Sequence, residues 1–412
     1  MNTYIPTTSK AFVRILKYEE GEDMSGLTFK GYKRPDGRVG VRNYVLILPT
    51  SVCSSDVTRF ISSQVPGTVT FDNQYGCAQV GRELEFTMKI LEGYAANPNI
   101  YGTVLVSLGC EACQIDIVAE RIRKRTNKPL HLLCIQEDGG SIETVQKGVK
   151  IASELVREAS LVPHEEFPLS ELIVGTECGG SDPTSGLAAN PTVGKMSDLM
   201  VEAGATVILS ETTEFIGAEH ILARRAVNDE IKDRIFEIVY RYENDLAIAG
   251  ETVRDGNPSP GNKAGGLTTL EEKSLGCIHK GGTKPINAVY EYGEEVTEKG
   301  LVIMDTPGYD SASIAGMVAG GCVVCAFTTG RGSPLGHPLI PVIKITGNRI
   351  TYGKMKDNID YDASPMVYDE KTLDQQGQEL FDMVLETSNG MATKAESLGF
   401  TATSIAKMCN FT

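Results

Sequence analysis

Short, continuous apolar runs punctuated by Gly, Pro and polar residues set the pattern of this chain. "NYVLILPT" (Asn43 to Thr50), "GTVLVSLG" (Gly102 to Gly109), "PLHLLCI" (Pro129 to Ile135) and "LIVGTEC" (Leu172 to Cys178) read as strands buried on both faces. Between them the apolar positions recur at helical spacing over Gly81 to Asn97, Asp116 to Asn127 and Ser141 to Ser160. A second set follows: helix Thr192 to Gly204, strand Thr206 to Glu211, helix Gly217 to Val227, and strands Gly300 to Thr306, Cys322 to Thr329 and Pro341 to Gly347. Strand then helix, repeated, predicts parallel α/β architecture, in which ligands bind beyond the carboxyl ends of the strands.

At 412 residues the chain exceeds one ordinary hydrophobic core. The expected fold is α/β, with two Rossmann-like or flavodoxin-like parallel-sheet domains and the active site between them. The expected division is an N-terminal extension over 1–24, a first α/β domain over 25–165, a second, catalytic α/β domain over 166–395 and a C-terminal tail over 396–412. Hydrophobic residues at 41% and charged residues at 23% describe a soluble globular protein. A net charge of -15 argues against nucleic acid or an anionic membrane as partner, and requires a local basic pocket for any anionic substrate. The opening "MNTYIPTTSK" has no apolar signal region, so the expected location is the cytoplasm. The nearly apolar run Ile314 to Phe327 is too short to span a bilayer and reads as buried core.

Ten cysteines without an export signal predict core thiols, metal ligands or reactive thiols rather than disulfides. Cys134, Cys322, Cys325 and Cys409 have apolar neighbours and read as core. Cys53 and Cys277 are ambiguous. Cys77 in "NQYGCAQ", Cys110 in "VSLGCEACQ" and Cys178 in "GTECGGSD" stand in glycine-rich polar turns, the surroundings of a ligand or reactive group. The Cys110/Cys113 spacing alone is weak, since no second pair at zinc-like spacing accompanies it. Neither "GTECGG" nor "GNKAGG" fits a phosphate-binding loop, which disfavours nucleotides.

The stretches "GYKRPDGRVGVRNYVLILPT", "YGCAQ", "SLGCE", "TECGGSDPTSGLAANP", "SETTEFIGAEH", "NPSPGNKAGGLTTLEEKSLG" and "FTTGRGSPLG" resemble those of the altronate and galactarate dehydratase family and cover most of the chain. The resemblance implies a hydro-lyase that converts a sugar acid to a 2-keto-3-deoxy acid. It also implies a large subunit whose small β-clip (SAF-like) domain is a separate polypeptide, as in the related sulfolactate sulfo-lyases, together with self-association. Family members are associated with iron. Cys77, Cys110 and Cys178 are accordingly expected as ligands of a [4Fe–4S] cluster with one open iron, a mononuclear Fe²⁺ being the alternative.

Polar loops supply the remaining expected roles. Arg331, between glycines after a strand, is suited to a bidentate grip on the substrate carboxylate, with Thr329, Arg42 and Asn43 as further substrate ligands. Glu211 at a strand end, His220 at helical spacing from Arg224, and Lys263 in a glycine-rich loop are the candidate acid–base groups. His279, His337, Glu137 and Asp138 are weaker candidates. Two alternatives stay open: sulfite elimination from sulfolactate, and a non-enzymatic iron–sulfur scaffold.

Overall fold

A computed structural model describes residue 24 and residues 26–407 of the chain. Nearly all of the N-terminal extension, and Cys409, lie outside the described residues. The described part begins with β1 (Thr28–Lys33) and β2 (Val39–Gly40), an antiparallel pair. A parallel sheet follows, made of β3 (Tyr44–Pro49), β4 (Thr68–Val69), β5 (Ile100–Ser107) and β6 (Leu130–Cys134) in the order β4-β3-β5-β6. Helices α1 (Val52–Gln64), α2 (Gly81–Ala96), α3 (Ile115–Arg125) and α4 (Ser141–Ala159) alternate with these strands. β7 (Glu165–Pro168) returns to pair with β1.

The second sheet is wholly parallel. It comprises β8 (Ile173–Cys178), β9 (Thr206–Leu209), β10 (Ile286–Tyr290), β11 (Gly300–Met304), β12 (Val324–Thr328), β13 (Val342–Thr346) and β14 (Tyr361–Asp362), in the order β10-β11-β9-β8-β12-β13-β14. Strands β9, β11, β12 and β13 are buried at every position, which is why their sequences are mostly apolar rather than alternating, Lys344 in the middle of β13 being the exception. Each sheet reverses its winding once. The reversal falls between β3 and β5 in the first sheet and between β8 and β12 in the second.

Helix α2 joins the two halves. Its Phe86 meets Tyr292, just past the carboxyl end of β10, with ring centroids 5.3 Å apart. At its other end Asn97 Nδ2 donates to the carbonyls of Val318 (2.9 Å) and Cys322 (2.8 Å), at the amino end of β12. Because α2 also follows the carboxyl end of β4, both sheets present their carboxyl edges at the same end of the molecule. One hydrophobic cluster runs from Leu46, Leu48 and Tyr94 of the first half to Ile314 and Phe327 of the second.

Two expectations change in detail. The run Ile314 to Phe327 is buried, but it divides into the end of a helix (Asp310–Ala319), a Gly320-Gly321 turn and β12. The helix expected over 217–227 shortens to Glu219–Ala223, because Arg225 and Val227 exchange backbone hydrogen bonds with Ile286 and extend the sheet edge instead. Part of the expected C-terminal tail is docked: Thr403 Oγ1 lies 2.8 Å from Tyr94 Oη, and the Ala406 amide donates to Tyr292 Oη at 3.1 Å. Among the described residues no helix is long and apolar enough to cross a membrane.

Candidate active site

Cys178 ends β8 at the reversal of the second sheet and is buried. Its amide donates to Glu211 Oε2 at 2.8 Å, and its Sγ lies 2.8 Å from Glu214 Oε2 and 3.4 Å from Cys277 Sγ. Glu211 reaches this position through a left-handed backbone (φ 72°), rare for a residue with a side chain and held by its amide bond to Thr306 Oγ1 at 2.7 Å. Glu177, one residue before Cys178, accepts from Ser210 Oγ (2.9 Å) and Ser313 Oγ (2.6 Å). The carboxyl groups of Glu177, Glu211 and Asp310 offer oxygens within 4.8 Å of one another, as do the ligand atoms of Cys178, Glu214 and Cys277.

Such crowding of acids persists only if charge is compensated. Lys280, 1% exposed, pairs with Glu211 and lies 4.0 Å from Glu214, while Lys273 pairs with Glu214 at 2.5 Å. Burial alone would strip Lys280 of its proton, but the surrounding Cys178, Glu211, Cys277 and Glu214 hold it far above the ordinary lysine value. Glu214 is likewise opposed by burial yet drawn down to about 2 by Lys273 and Lys280. Glu177 goes the other way: burial first, then the Glu211 and Asp310 charges, push it far up, so it stays protonated. Asp310, half-buried at the first turn of its helix, is raised to about 7 by burial and by Glu211 and Glu214. The site thus holds fixed anions, fixed cations and one carboxyl able to gain or lose a proton near neutrality.

The loops beside this cluster carry unused cations. The Arg331 amide donates to the Gly180 carbonyl at 2.7 Å, which ties the turn after β12 to the turn after β8. Among the described residues the exposed side chains of Arg331 and Lys263 have no ion-pair partner. Thr329 is buried, and its Oγ1 accepts from the Gly332 amide at 2.9 Å.

Several expected site residues are placed elsewhere. Arg42 lies near the amino end of β3, paired with Glu396 at 2.8 Å and donating to the carbonyls of Thr387 and Met391, so its guanidinium is consumed by structure. Asn43 is spent similarly, between Arg34 Nη1 and the Ala159 carbonyl at 2.7 Å each. His220 is exposed on a short helix and lines a surface hollow with Arg224 and Lys232. His337, bonded to Tyr94 Oη, is driven by burial down to about 3 and stays neutral. Asp138 takes the Cys134 amide and Lys147. Cys77 and Cys110 lie at the carboxyl edge of the first sheet, whereas the Cys178 sulfur faces Glu214 and Cys277. The sequence reading missed Lys273, Lys280, Glu177 and Asp310. Of these, Lys280 beside Cys277 in "CIHKGG" and Asp310 in "PGYDSAS", after a predicted strand, carried a usable signal.

An α/β scaffold with a buried carboxylate, lysine and thiol cluster at a sheet reversal defines the class, and comparison with known proteins narrows it. The chain belongs to the D-galactarate/altronate dehydratase family: residues 31–160 match the second domain of that family and residues 169–410 its C-terminal domain. It is 36% identical to (2R)-sulfolactate sulfo-lyase subunit beta of Chromohalobacter salexigens over 92% of this chain and 96% of that protein. It is 35% identical to altronate dehydratase of Bacillus subtilis, over 92% of this chain and 78% of the relative. It is also 35% identical to galactarate dehydratase (L-threo-forming) of Escherichia coli, over 89% and 74% respectively.

Removing one partner of a buried ion pair leaves the other charge stranded, so Lys280→Met is expected to destabilise the protein by about 3–5 kcal/mol. Lys280→Met combined with Glu211→Gln should recover much of that loss. Denaturant unfolding of both variants checks this, and a single-variant loss below about 1 kcal/mol would show that the pair is not buried as described.

Proposed function

We propose that this chain is the large subunit of an iron-dependent lyase that eliminates water from a sugar acid to give a 2-keto-3-deoxy acid. It acts in the cytoplasm, as a homo-oligomer, with a separate small SAF-domain subunit. The observation that carries this reading is the site itself: a charge-balanced acid cluster at the reversal of a parallel sheet, flanked by the free cations Arg331 and Lys263. A protein with net charge -15 repels an anionic substrate unless cations are held out locally, and these two are. Arg331 takes the carboxylate, which orients the carbon beside it and stabilises the charge that builds there when its hydrogen is removed. The proton lost from that carbon and the hydroxide lost from the next leave together as water, and the resulting enol becomes the keto acid. Asp310, with its value near 7, is the group that carries a proton through this exchange. Iron, when bound, supplies a Lewis acid for the departing hydroxyl.

A relative's name supports the partner: the protein 36% identical to this chain over 92% of it is subunit beta of a sulfo-lyase. The same comparison favours a second reading, loss of sulfite from sulfolactate, which needs the same proton abstraction. A purely structural iron–sulfur scaffold would leave the buried lysine and carboxylate cluster without a purpose.

The test is a panel of aldonates, aldarates and sulfolactate, assayed anaerobically with iron and with the small subunit co-expressed. Keto-acid formation from a sugar acid is expected. Sulfite release alone would establish the second reading, and turnover undiminished without the small subunit would remove the partner. Arg331→Lys keeps the charge but not the planar fork, and should lower kcat/KM by the equivalent of about 1–3 kcal/mol. An unchanged kcat/KM takes Arg331 out of the site.

Asp310 yields a prediction with a definite sign. Its value is higher in the folded chain than the ordinary 3.8, so folding favours the protonated form, and stability falls as pH rises from about 4 to about 7. Asp310→Asn lacks this loss and should be more stable than the parent at pH 8 by roughly 2–4 kcal/mol, with little difference near pH 4.5. Turnover should drop by about 10²–10⁴-fold in the same variant. Melting curves at the two pH values that move in parallel would contradict the assignment.

A further inference from the structure

The second cysteine-rich place in the molecule is the reversal of the first sheet, between β3 and β5. In sheets of this kind the crevice at the reversal is where a ligand is held. Here three turns meet. The turn after β3 opens α1 with Cys53, and the turn after β5 carries Cys110 and Cys113. The loop Asn73 to Val80, carrying Cys77, lies across both: the Val52 amide donates to the Tyr75 carbonyl at 3.1 Å, and the Cys113 amide donates to the Gly76 carbonyl at 2.9 Å. Gly76 (φ 91°) is pressed so closely on the β3 turn that a Cβ there would stand 2.0 Å from the Thr50 carbonyl oxygen. Glu111 locks the two strand ends together by accepting from Thr50 Oγ1 and from the Leu108 (2.9 Å) and Gly109 (2.7 Å) amides.

Of the cysteines at this edge, Cys113 is wholly buried and Cys134 directs its thiol to the Leu108 carbonyl at 3.5 Å. Cys53, Cys77 and Cys110 are exposed, one from each converging turn, although free cysteine is among the most buried residue types. We infer that Cys53, Cys77 and Cys110 are the thiolate ligands of an iron–sulfur cluster of the [4Fe–4S] type, seated at the reversal of the first sheet. The inference rests on the iron dependence proposed above and assigns its ligands.

Charge separates this place from the thiols of the second sheet. Around Cys178 and Cys277 two ammonium groups already neutralise the acids, and a metal cation there would be repelled by Lys273 and Lys280. No ion pair among the described residues involves Glu111 or any residue of the Asn73 to Val80 loop. Three protein thiolates leave one iron of a four-iron cluster without a protein sulfur. A cluster held by these three turns would sit at the end of the molecule where the second sheet also opens. A cavity lined by Arg82 and Phe86 of α2 and by Asp305, Thr306 and Lys407 lies where α2 meets the second half, and Lys407 Nζ stands 4.9 Å over the Tyr75 ring.

The test is anaerobic reconstitution of the full chain with ferrous iron and sulfide, followed by iron and sulfide analysis and visible and electron paramagnetic resonance spectra. Cys53→Ser, Cys77→Ser and Cys110→Ser should each lose most of the bound iron and sulfide and the cluster spectrum, while Cys178→Ser and Cys277→Ser keep them. In the parent, maleimide should label the three thiols before reconstitution and not after, a readout that does not depend on any variant folding. Retention of the cluster by Cys53→Ser, its loss in Cys178→Ser, or iron bound without sulfide overturns the inference. Activity on the substrate panel is scored separately. A protein that binds the cluster but dehydrates no hydroxy acid refutes the proposed function alone, and one that dehydrates without a cluster refutes this inference alone.

Discussion

The contact on which the active end of this protein depends is the crossing of α2 with the helix Asp310–Ala319. A Cβ on Gly93 would come within 2.5 Å of the Ala319 Cβ, so the two helices touch at a distance only glycine permits. That contact fixes the first sheet against the second and aligns their carboxyl edges. It also sets the first turn of the Asp310 helix, and hence the Asp310 carboxyl, relative to β8: a Cβ on Gly179 would fall 2.1 Å from Asp310 Oδ2. A sidechain on Gly93 would therefore act on the site from its far side, by tilting the helix whose first residue faces the cluster. Interiors this closely packed transmit such a shift rather than absorb it.

Within the second sheet the governing quantity is local neutrality. Lys273 and Lys280 come from the far part of the connection between β9 and β10, whose beginning carries Glu211 and Glu214, so the charge balance requires residues 270–281 to be docked. Docking is specified by backbone as well as charge: Ser197 Oγ donates to the Lys280 carbonyl at 2.8 Å, and Asp198 accepts from the Thr283 amide at 2.7 Å. The acids and the lysines are thus mutually dependent, and neither set is stable in so dry a place without the other.

Much of the scaffold is legible in the amino-acid sequence, because a strand buried on both faces is predominantly apolar. The runs that became β3, β5, β11 and β12 show this directly, while Glu177 in β8 and Lys344 in β13 are buried charged residues that interrupt it. Two-residue strands such as β4 and β14 have no periodicity to detect. The glycine-rich turns at Cys77, Cys110 and Cys178 stand out in the sequence as polar loops after strands, but which loops meet depends on sheet order, and sheet order is non-local. Arg42 shows the converse limit. An arginine beside a strand looks available until the C-terminal segment, some 350 positions away in the chain, supplies Glu396 and two carbonyls to its guanidinium.

The same residue type consequently has two different meanings in one chain. Cys178, buried with Glu211, Glu214 and another thiol, is pushed far above the ordinary cysteine value, first by burial and then by those neighbours. A thiol so placed keeps its proton and acts as a polarisable wall for the lysine and carboxylate cluster. Cys53, Cys77 and Cys110 are exposed to solvent at turns that backbone hydrogen bonds tie to one another. Cys77 and Cys110 share glycine-rich surroundings with Cys178, so sequence context alone groups these three. Burial divides them: Cys178 is enclosed with acids and a second thiol while Cys77 and Cys110 are open to solvent, a difference set by how the chain folds rather than by neighbours along it.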